Sequence, residues 1–458
     1  MEDVNSILLG VKELLWGPPL LALLLGVGVY LTFLLKGVQF SYMGYALKQV
    51  LSKTKSNAKG DISHFEALMT SLAGAIGTGA IVGVASALAV GGLGALFWMW
   101  VTAFLGMATK YAESLLAVKY RVKDKRGEMI GGPMEYIERG LNMRWMAILF
   151  ALFGSVAAVS TGNLVQINSI VEAVETVWSI NPWVAGGVVA VVTGFVIVGG
   201  VRSIGHVAGV FVPLMALFYL IGGMLIVGLN LSSVPKALYL IVKSAFTGQA
   251  AFGGFAGSSL MMALQMGVSR SIFSNEAGLG ISSISAAAAK TDSPGRQAMI
   301  TMTGALLSTV IVCTITGLVI AVSEVLGTTN GSGVMLNGAP LAIAAFESTL
   351  VGGGYIVTFG LVLFAFSTIL AWAYYGEKCF EYIFGEKAVI PYRILFTLII
   401  IPGAVMKMET VWYIADISNA LMVVPNLIAL VLSSKVIQLE TKKFLEVAKK
   451  EIEQQKNI

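Results

Sequence analysis

Long apolar stretches alternate with short polar segments along almost the whole chain. A helix needs about 20 mainly apolar residues to cross the hydrocarbon core of a bilayer, so each stretch of roughly that length is a candidate span. Eleven such stretches occur, at residues 16–36, 63–90, 93–119, 145–175, 182–200, 204–230, 256–289, 297–326, 352–376, 389–407 and 410–433. The pattern predicts an all-α polytopic membrane protein with about 11 transmembrane helices.

Composition agrees with a membrane protein and narrows the classes of partner. Of the 458 residues, 57% are hydrophobic and 12% are charged, whereas a soluble domain carries about 25% charged residues. The net charge of +5 is small and is scattered among the polar segments, which argues against a nucleic-acid partner. The two cysteines, Cys313 and Cys379, lie far apart and give neither a disulfide framework nor a metal-binding spacing.

Lysine and arginine are distributed unequally between the two sets of alternating loops. The loops assigned to the inside hold 24 of these residues, and those assigned to the outside hold 4. Because cytoplasmic loops are enriched in positive charge, the N-terminus is predicted to lie outside and the C-terminus in the cytoplasm. The tail alternates charged and apolar residues with a helical period, which predicts an amphipathic helix on the cytoplasmic surface.

Two of the candidate spans carry sequences that weaken a membrane helix near its middle. In the second span, the run SLAGAIGTGAIVG, which begins at Ser71, holds four glycines, and each glycine costs a helix about 1 kcal/mol relative to alanine. The centre of the seventh span, from Gly267 to Gly280, includes Arg270 and Glu276, and a charge at a helix centre costs roughly 2.5–3.5 kcal/mol. Irregular backbone persists at membrane depth only where surrounding protein or a water-filled cavity satisfies its N–H and C=O groups. Both spans are therefore predicted to be discontinuous helices that line a cavity.

The positions of the two interrupted spans indicate an internal repeat of opposite orientation. With the first span set aside, they are the first and sixth of ten helices, and an odd count of five reverses the direction in which the second half enters the membrane. Paired interrupted helices in inverted repeats mark the binding sites of transporters. Read alone, the glycines also fit close helix packing through Gly79-x-x-x-Gly83, but packing does not account for the second interruption.

This organisation divides the chain into five segments. They are 1–62, with an amphipathic segment, an extra transmembrane helix and a cytoplasmic loop; 63–230, the first inverted repeat of five helices; 231–255, an extracellular connection; 256–433, the second repeat of five helices; and 434–458, the cytoplasmic tail.

Two long motifs resemble a known transporter family. GGLGALFWMWVTAFLG, from Gly91 to Gly106, resembles the signature of the alanine or glycine:cation symporter family. RSIFSNEAGLGISS, from Arg270, is similar to a second segment of that family, with Ser271 where a glycine is expected. The resemblance covers essentially the whole chain, and it implies a fold like that of the bacterial leucine transporter.

The resemblance also implies an activity, which is sodium-driven uptake of a small neutral amino acid, alanine or glycine, by alternating access. It implies a multi-pass protein of a prokaryotic cell membrane with Na⁺ as coupling ion, no organic cofactor and no obligate protein partner. Proton-coupled symport of the same substrates is the alternative, and a passive amino-acid facilitator is a further one. The chain has no HExxH, GxSxG or P-loop motif, so an intramembrane enzyme is not indicated.

An amino acid binds as a zwitterion, so its site needs donors for a carboxylate and acceptors for an amine. Amides at the start of the outer half of the second span carry partial positive charge and suit the carboxylate. The seventh span offers carbonyls for the amine, the fourth a polar face, and the ninth an indole that would admit only a hydrogen or methyl side chain. The predicted substrate contacts are Thr78, Gly79, Gln166, Phe273, Ser274, Asn275 and Trp372. Two alternatives stay open: interhelical hydrogen bonding for Gln166, and a wall against lipid or neighbouring helices for Trp372.

The resemblance further implies a sodium ion that bridges two hydroxyl groups of the ninth span to carbonyls at the interruption of the second. By position these ligands are Ala73, Ile76, Ser367 and Thr368. The alternative is that both hydroxyls bond to their own helix. The partners of Arg270 and Glu276 also stay open, since they can pair with each other or with Glu113 or Asp416. A Glu276 that is protonated during transport would make H⁺ the coupling ion.

Overall fold

The structure, a computed structural model, describes residues 2–52, 58–247 and 260–456 and is built mainly of α-helices. The helices of the first half are α1 (Glu2–Leu15), α2 (Pro18–Leu34), α3 (Val38–Ser41), α4 (Met43–Val50), α5 (His64–Ala75), α6 (Val82–Gly91), α7 (Gly94–Lys119), α8 (Pro133–Glu135), α9 (Arg144–Val159), α10 (Val165–Trp178), α11 (Pro182–Val198), α12 (Gly200–Leu229) and α13 (Val234–Thr247). Those of the second half are α14 (Leu260–Asn275), α15 (Ser283–Ala287), α16 (Pro294–Ala305), α17 (Thr314–Val322), α18 (Gly338–Glu347), α19 (Gly353–Phe384), α20 (Val389–Gly403), α21 (Met408–Leu432) and α22 (Ser434–Lys456).

Short elements of other types join or extend these helices. Tight 3-10 turns lie at Thr78–Ala80, Leu231–Ser233 and Glu386–Ala388, and π-helical turns lie at Tyr136–Gly140, Ser160–Leu164 and Leu306–Cys313. Two of the π-helical turns join α9 to α10 and α16 to α17, so that each pair forms one long helix. A small hairpin follows α7, in which β1 (Val122–Lys123) pairs antiparallel with β2 (Met129–Ile130).

Several helices are long and apolar enough to cross a membrane. Among the described residues there are five of them, or six if α1 and α2, which meet at a bend of 41°, count as one span. Large apolar side chains on α11, α12 and α20 are exposed, among them Phe195, Leu214 and Leu398, and such a surface suits contact with lipid tails. The chain is a multi-pass membrane protein. The count of about eleven spans and the inverted repeat remain predictions, because several of the predicted spans are short or broken helices.

The predicted extracellular connection contains a helix of its own. One face of α13 is buried, with Ala237 and Ile241 almost inaccessible. The helix lies so close to α7 that a Cβ atom at Gly94 would come within 2.6 Å of the Ala245 nitrogen. Residues 248–255 of this connection, and 256–259 at the predicted start of the second repeat, lie outside the described part of the chain.

Helix α7 is central to the part of the fold that positions the site. It packs against α2, α14 and α16, and small residues bring the backbones close, as where Gly106 faces Ala277. On the other side, α19 packs against α5, α9, α10 and α12. Helices α5 and α6 are thereby enclosed, since α5 lies against α12 and α19 while α6 lies against α14 and α18.

The C-terminal helix α22 is amphipathic, as its sequence predicts, and its apolar face packs against the rest of the protein. Phe444 is buried against Gly295, where a Cβ atom would lie 2.4 Å from the Phe444 Cβ. An ion pair of 2.7 Å joins Glu451 to Arg296. These contacts hold α22 against the start of α16.

Candidate functional site

The first interrupted span is broken at the glycines, as predicted. Helix α5 ends at Ala75, and Ile76 and Gly77 leave the helical region with ψ angles of 68° and −147°. A short 3-10 turn then leads into α6. At Gly77 a Cβ atom would lie 2.3 Å from Thr368 Oγ1 and 3.0 Å from Gln166 Oε1. Glycine is therefore required here by the close approach of two other helices.

Side chains from α10 and α19 bond to the backbone of this break. The Thr78 amide donates to Gln166 Oε1 at 3.1 Å, and Gln166 in turn donates to the Thr161 carbonyl at 2.9 Å. The Thr368 hydroxyl donates to the Ala73 carbonyl at 2.7 Å. The hydroxyl oxygen of Thr78 is buried and has no hydrogen-bond partner among the described residues. The break thus gathers amides, carbonyls and hydroxyl groups in a buried place.

The four predicted sodium ligands are not equally placed. The Thr368 hydroxyl reaches across to Ala73 and also lies 2.9 Å from the Phe364 carbonyl of its own helix. Ser367 bonds to the Phe364 carbonyl at 2.9 Å, within its own helix. Ile76 is buried at the break. Successive helical residues point about 100° apart, which explains why only one of the two neighbouring hydroxyls faces α5.

The second interruption begins later than the sequence indicates. Helix α14 continues to Asn275, so most of the polar centre of the span is helical, and the prediction that Phe273 and Ser274 lie in an unwound stretch is wrong. The break starts at Glu276, where φ is +59°, and contains two further positive φ angles, at Gly278 (+88°) and Gly280 (+74°). It ends where α15 begins.

Tertiary contacts explain why the polar part of α14 stays helical. The Ser271 hydroxyl donates to the Met99 carbonyl of α7 at 3.0 Å, and the side-chain amide of Asn275 donates to Ser271 Oγ at 3.1 Å. At Gly267 a Cβ atom would lie 2.5 Å from the Cβ of Trp98. The polar side chains are therefore satisfied by α7 and by α14 itself, without unwinding of the backbone.

The carbonyls of Phe273 and Ser274 still lack their helical partners, although both residues are helical. In a continuing helix they would accept hydrogen bonds from the amides four residues later. Those amides donate to side chains instead, each at 2.9 Å: Ala277 to Asn275 Oδ1 and Gly278 to Glu113 Oε1. Two carbonyls without their helical partners therefore lie at the C-terminus of α14, where the helix dipole is negative.

The end of α14 meets the first broken helix at Gly79. A Cβ atom there would lie 2.8 Å from the ring of Phe273, 3.2 Å from the Phe273 carbonyl oxygen and 3.2 Å from the Ser274 Cα. Gly83, by contrast, has nothing nearer than 3.9 Å, so close packing does not require a glycine at that position. The glycines therefore serve the contact between the two broken helices more than general helix packing.

The side chains of Ser274 and Asn275 contact the π-helical turn between α16 and α17. The Ser274 hydroxyl lies 2.9 Å from both Thr309 Oγ1 and Cys313 Sγ. Asn275 donates to Thr309 at 3.2 Å and accepts from the Ala277 amide. In this conformation both the donor and the acceptor of Asn275 are used within the protein.

Trp372 lies on the face of α19 that carries Thr368, one turn further along. Trp372 is 1% exposed and packs tightly on the π-helical turn between α9 and α10. A Cβ atom at Gly162 would overlap the Cβ of Trp372. Its ring centre is 6.0 Å from that of Tyr375, and its indole lies beside the Glu276 carboxyl group. Trp372 therefore forms a buried wall next to both breaks.

A cavity of about 700 Å³ is lined in part by Arg270, Trp412 and Asp416. At its floor Arg270 forms a two-pronged ion pair with Asp416, at 3.2 and 3.0 Å, and both side chains are about 95% buried. The Arg270 guanidinium lies 4.5 Å from the ring centre of Trp412, which in turn lies 4.9 Å from Phe273. The partner of Arg270, left open by the sequence, is thus Asp416.

Sequence reasoning assigned no role to Lys110 and named Glu113 only as a possible partner of Arg270 or Glu276, although both residues hold the second break. Lys110 and Glu113 of α7 are both wholly buried. Lys110 Nζ donates to the Asn275 carbonyl at 2.7 Å, and Glu113 Oε1 accepts from the Gly278 amide and from the Asn426 side chain. One signal was available, because two charges one turn apart within an apolar span point to a functional site by default.

A buried site formed where two broken helices meet, inside a bundle of membrane-spanning helices, defines a transporter with the fold of the bacterial leucine transporter. Solved structures agree on this fold. The crystal structure of MhsT in complex with L-phenylalanine matches with a TM-score of 0.60 at 12% identity, over 85% of this chain and 98% of that one. A manganese transporter of Eremococcus coleocola matches with a TM-score of 0.50, over 87% of this chain and 83% of that one.

The particular family follows from sequence comparison. The model of the sodium:alanine symporter family matches residues 1–458, and the chain belongs to that family. It is 49% identical over 457 residues to the sodium/alanine symporter AgcS of Methanococcus maripaludis, covering 98% of this chain and 99% of AgcS. It is 37% identical over 441 residues to the probable sodium/glutamine symporter GlnT of Bacillus subtilis, covering 95% and 90% of the two chains. The resemblance seen in the two motifs is thereby confirmed.

Proposed function

We propose that this protein carries alanine or glycine into the cell together with Na⁺, by alternating access. The observation that carries the proposal is the meeting of the Thr368 hydroxyl with the Ala73 carbonyl at the break of α5, next to the Thr78 amide. Membership of the sodium:alanine symporter family supports it. The name of AgcS, a relative at 49% identity, agrees with this substrate and ion.

The proposed sodium ligands are Ala73, Ile76, Ser367 and Thr368. Carbonyl and hydroxyl oxygens at the end of a broken helix suit this ion. Thr368 is ready for the role, because its proton can go to the Phe364 carbonyl at 2.9 Å and leave the oxygen lone pairs to a cation. Ser367 needs a change of rotamer first. Sodium must bind the outward-open and inward-open states with different affinity, because otherwise it could not drive uptake.

The proposed substrate site lies between the breaks. The carboxylate binds the amides of Thr78 and Gly79 and replaces Gln166 as the acceptor at Thr78. The released Gln166 side chain then contacts the substrate. The amine binds the carbonyls of Phe273 and Ser274, whose helical partners are absent. In this arrangement Trp372 limits the substrate side chain, and Asn275 contributes by holding the end of α14 in place.

The proposed outer gate is the pair Arg270–Asp416. It lines the large cavity, and Arg270 lies against Trp412, which contacts Phe273, so a substrate arriving through that cavity requires the pair to separate. The cavity faces outward in the orientation that the positive-inside rule predicts, with the N-terminus outside and the C-terminus in the cytoplasm. Among the helices that contribute the site and its gate, α14 packs on α7, whereas α5 and α10 pack on α19, which suits movement of one group of helices against the other.

The proposal is tested with purified protein in proteoliposomes. Uptake of radiolabelled alanine is measured under an inward sodium gradient, under an inward proton gradient, and with neither. Accumulation driven by sodium alone is expected; accumulation driven only by protons supports proton symport, and equilibration without accumulation supports a facilitator.

Thr368→Ala is expected to raise the sodium concentration for half-maximal uptake about tenfold, the factor that 1.4 kcal/mol represents. Thr397→Ala is the matched control, because that hydroxyl bonds only to the Arg393 carbonyl of its own helix.

A further inference from the structure

Helix α7 presents two buried charges of opposite sign to the second break. Lys110 and Glu113 are one turn apart and are 1% and 0% exposed. Residues at this spacing share a face of the helix. Charges inside the membrane are expensive and face the protein interior where they serve a purpose. The positions of their partners show what that purpose is.

The two charges replace the backbone hydrogen bonds that the break removes. Lys110 Nζ donates at 2.7 Å to the carbonyl of Asn275, the last residue of α14, where the helix dipole favours a cation. Glu113 Oε1 accepts from the amides of Gly278 and Gly280 at 2.9 and 3.1 Å. The backbone before the break is thus bound by the cation and the backbone after it by the anion.

The same cluster touches the other broken helix. Lys110 Nζ lies 3.5 Å from Ser71 Oγ in the last turns of α5. Glu276 is the first residue of the second break, and its carboxyl group lies against α5. A Cβ atom at Gly74 would come within 2.9 Å of Glu276 Oε1. Glu276 is fully buried, and the Trp372 indole lies beside its carboxyl group. Gly74 adjoins Ala73, whose carbonyl meets Thr368.

We propose that Lys110 is a positioning residue that joins the two breaks. Its hydrogen bond fixes the end of α14, and its charge compensates the buried Glu276 carboxylate that rests on the last turn of α5. A displacement of the second break is then transmitted to the Ala73 carbonyl, and occupation of the first break is transmitted back. The effect on sodium dependence rests on the function proposed above, whereas the mechanical link between the breaks does not.

The mechanical link is tested by hydrogen–deuterium exchange of the purified protein without substrate. Lys110→Met is expected to accelerate exchange about tenfold in peptides covering 71–80 and 271–282, as loss of one charge-assisted hydrogen bond does. Lys119→Met is the matched control on the same helix, since Lys119 is partly exposed and pairs with Glu440. Faster exchange confined to 271–282, or absent from both peptides, overturns the proposal.

The role of the charge is tested by rescue in the transport assay. Lys110→Met leaves Glu276 uncompensated, so uptake is expected to fall at least tenfold, and the double variant Lys110→Met/Glu276→Gln is expected to recover most of it. The sodium concentration for half-maximal uptake should rise in the single variant and return in the double variant. A folded double variant, judged by size-exclusion chromatography, that is no more active than the single variant overturns the charge role. If wild-type uptake ignores sodium, the proposed function fails, and the exchange experiment still decides whether the breaks are linked.

Discussion

The two breaks in the broken helices are built differently. The first comprises only two non-helical residues before a 3-10 turn, and neutral groups of Gln166 and Thr368 hold it. The second extends from Glu276 to the start of α15, contains three positive φ angles and is held by the charged side chains Lys110 and Glu113. Neutral hydrogen bonds contribute about 0.5–1.5 kcal/mol each, and those to charged groups about 1.5–3 kcal/mol.

This difference suggests different roles in the transport cycle. The bonds of the first break are weak enough for a carboxylate or a cation to replace them. Those of the second hold the end of α14 in one place, so that the free carbonyls of Phe273 and Ser274 keep a constant position. The first break is then the part that exchanges its bonds for ligands, and the second is the wall against which the ligand binds.

The largest expected effect comes from filling the first break. In Gly77→Ala the added Cβ would lie 2.3 Å from Thr368 Oγ1, and overpacking of this kind costs about 1–3 kcal/mol. Alanine uptake is expected to fall by roughly 10- to 100-fold, at 1.4 kcal/mol for each factor of ten. Gly83→Ala is the control, because its nearest neighbours are 3.9 Å away. Initial uptake rates of the two variants in proteoliposomes decide the matter, and equal rates would contradict the close approach.

A comparable substitution in the second break should affect stability before it affects ligand binding. Gly280 has a φ of +74°, and a Cβ there would lie 2.6 Å from Pro133 and 2.8 Å from Asn426. Gly280→Ala is expected to lower the free energy of unfolding by about 1–3 kcal/mol. The measurement is a thermal unfolding curve in detergent.

The control for this variant separates strain from crowding. Gly327 has a similar φ of +86° and no atom within 4 Å of a Cβ, so Gly327→Ala carries only the backbone strain. Its midpoint of unfolding should shift less than that of Gly280→Ala. A larger shift for Gly327→Ala would show that crowding at Asn426 is unimportant.

The two breaks also differ in how well the sequence predicts them. The first was placed correctly because a cluster of glycines weakens a helix locally, whatever surrounds it. The second was placed too early because Arg270 and its polar neighbours look too costly for a membrane helix in sequence, whereas partners in the fold satisfy them. Local composition carries no information about such partners.

The other contacts that the sequence could not predict join residues that are distant in sequence. Arg270 and Asp416 are 146 positions apart, so no local pattern could choose Asp416 over Glu113 as the partner. The partners of Lys110 and Glu113 become apparent only when the end of α14 is brought against α7. The family motifs predicted the fold and the kind of transport, because long specific motifs identify relatives independently of these contacts.

A smaller effect is expected at the side chain that bonds to the Thr78 amide. Gln166→Ala leaves that buried amide without its acceptor, which costs about 1–3 kcal/mol. In the proposed site Gln166 also contacts the substrate, so the KM for alanine should rise about tenfold while the sodium dependence changes little. Asn168→Ala is the control on the same helix, because Asn168 bonds to the Met406 carbonyl away from the break. An unchanged KM in Gln166→Ala would leave Gln166 a structural residue only.

The smallest effect is expected from the hydroxyl beside Thr368. Ser367 bonds to the Phe364 carbonyl of its own helix and reaches a cation only after a change of rotamer. Ser367→Ala should therefore raise the sodium concentration for half-maximal uptake by no more than about threefold, compared with about tenfold for Thr368→Ala. Sodium titrations of uptake with the two variants side by side provide the measurement. Equal shifts would mean that both hydroxyls turn toward the break when the ion binds. The first break would then rearrange more on ion binding than its contacts in this structure indicate.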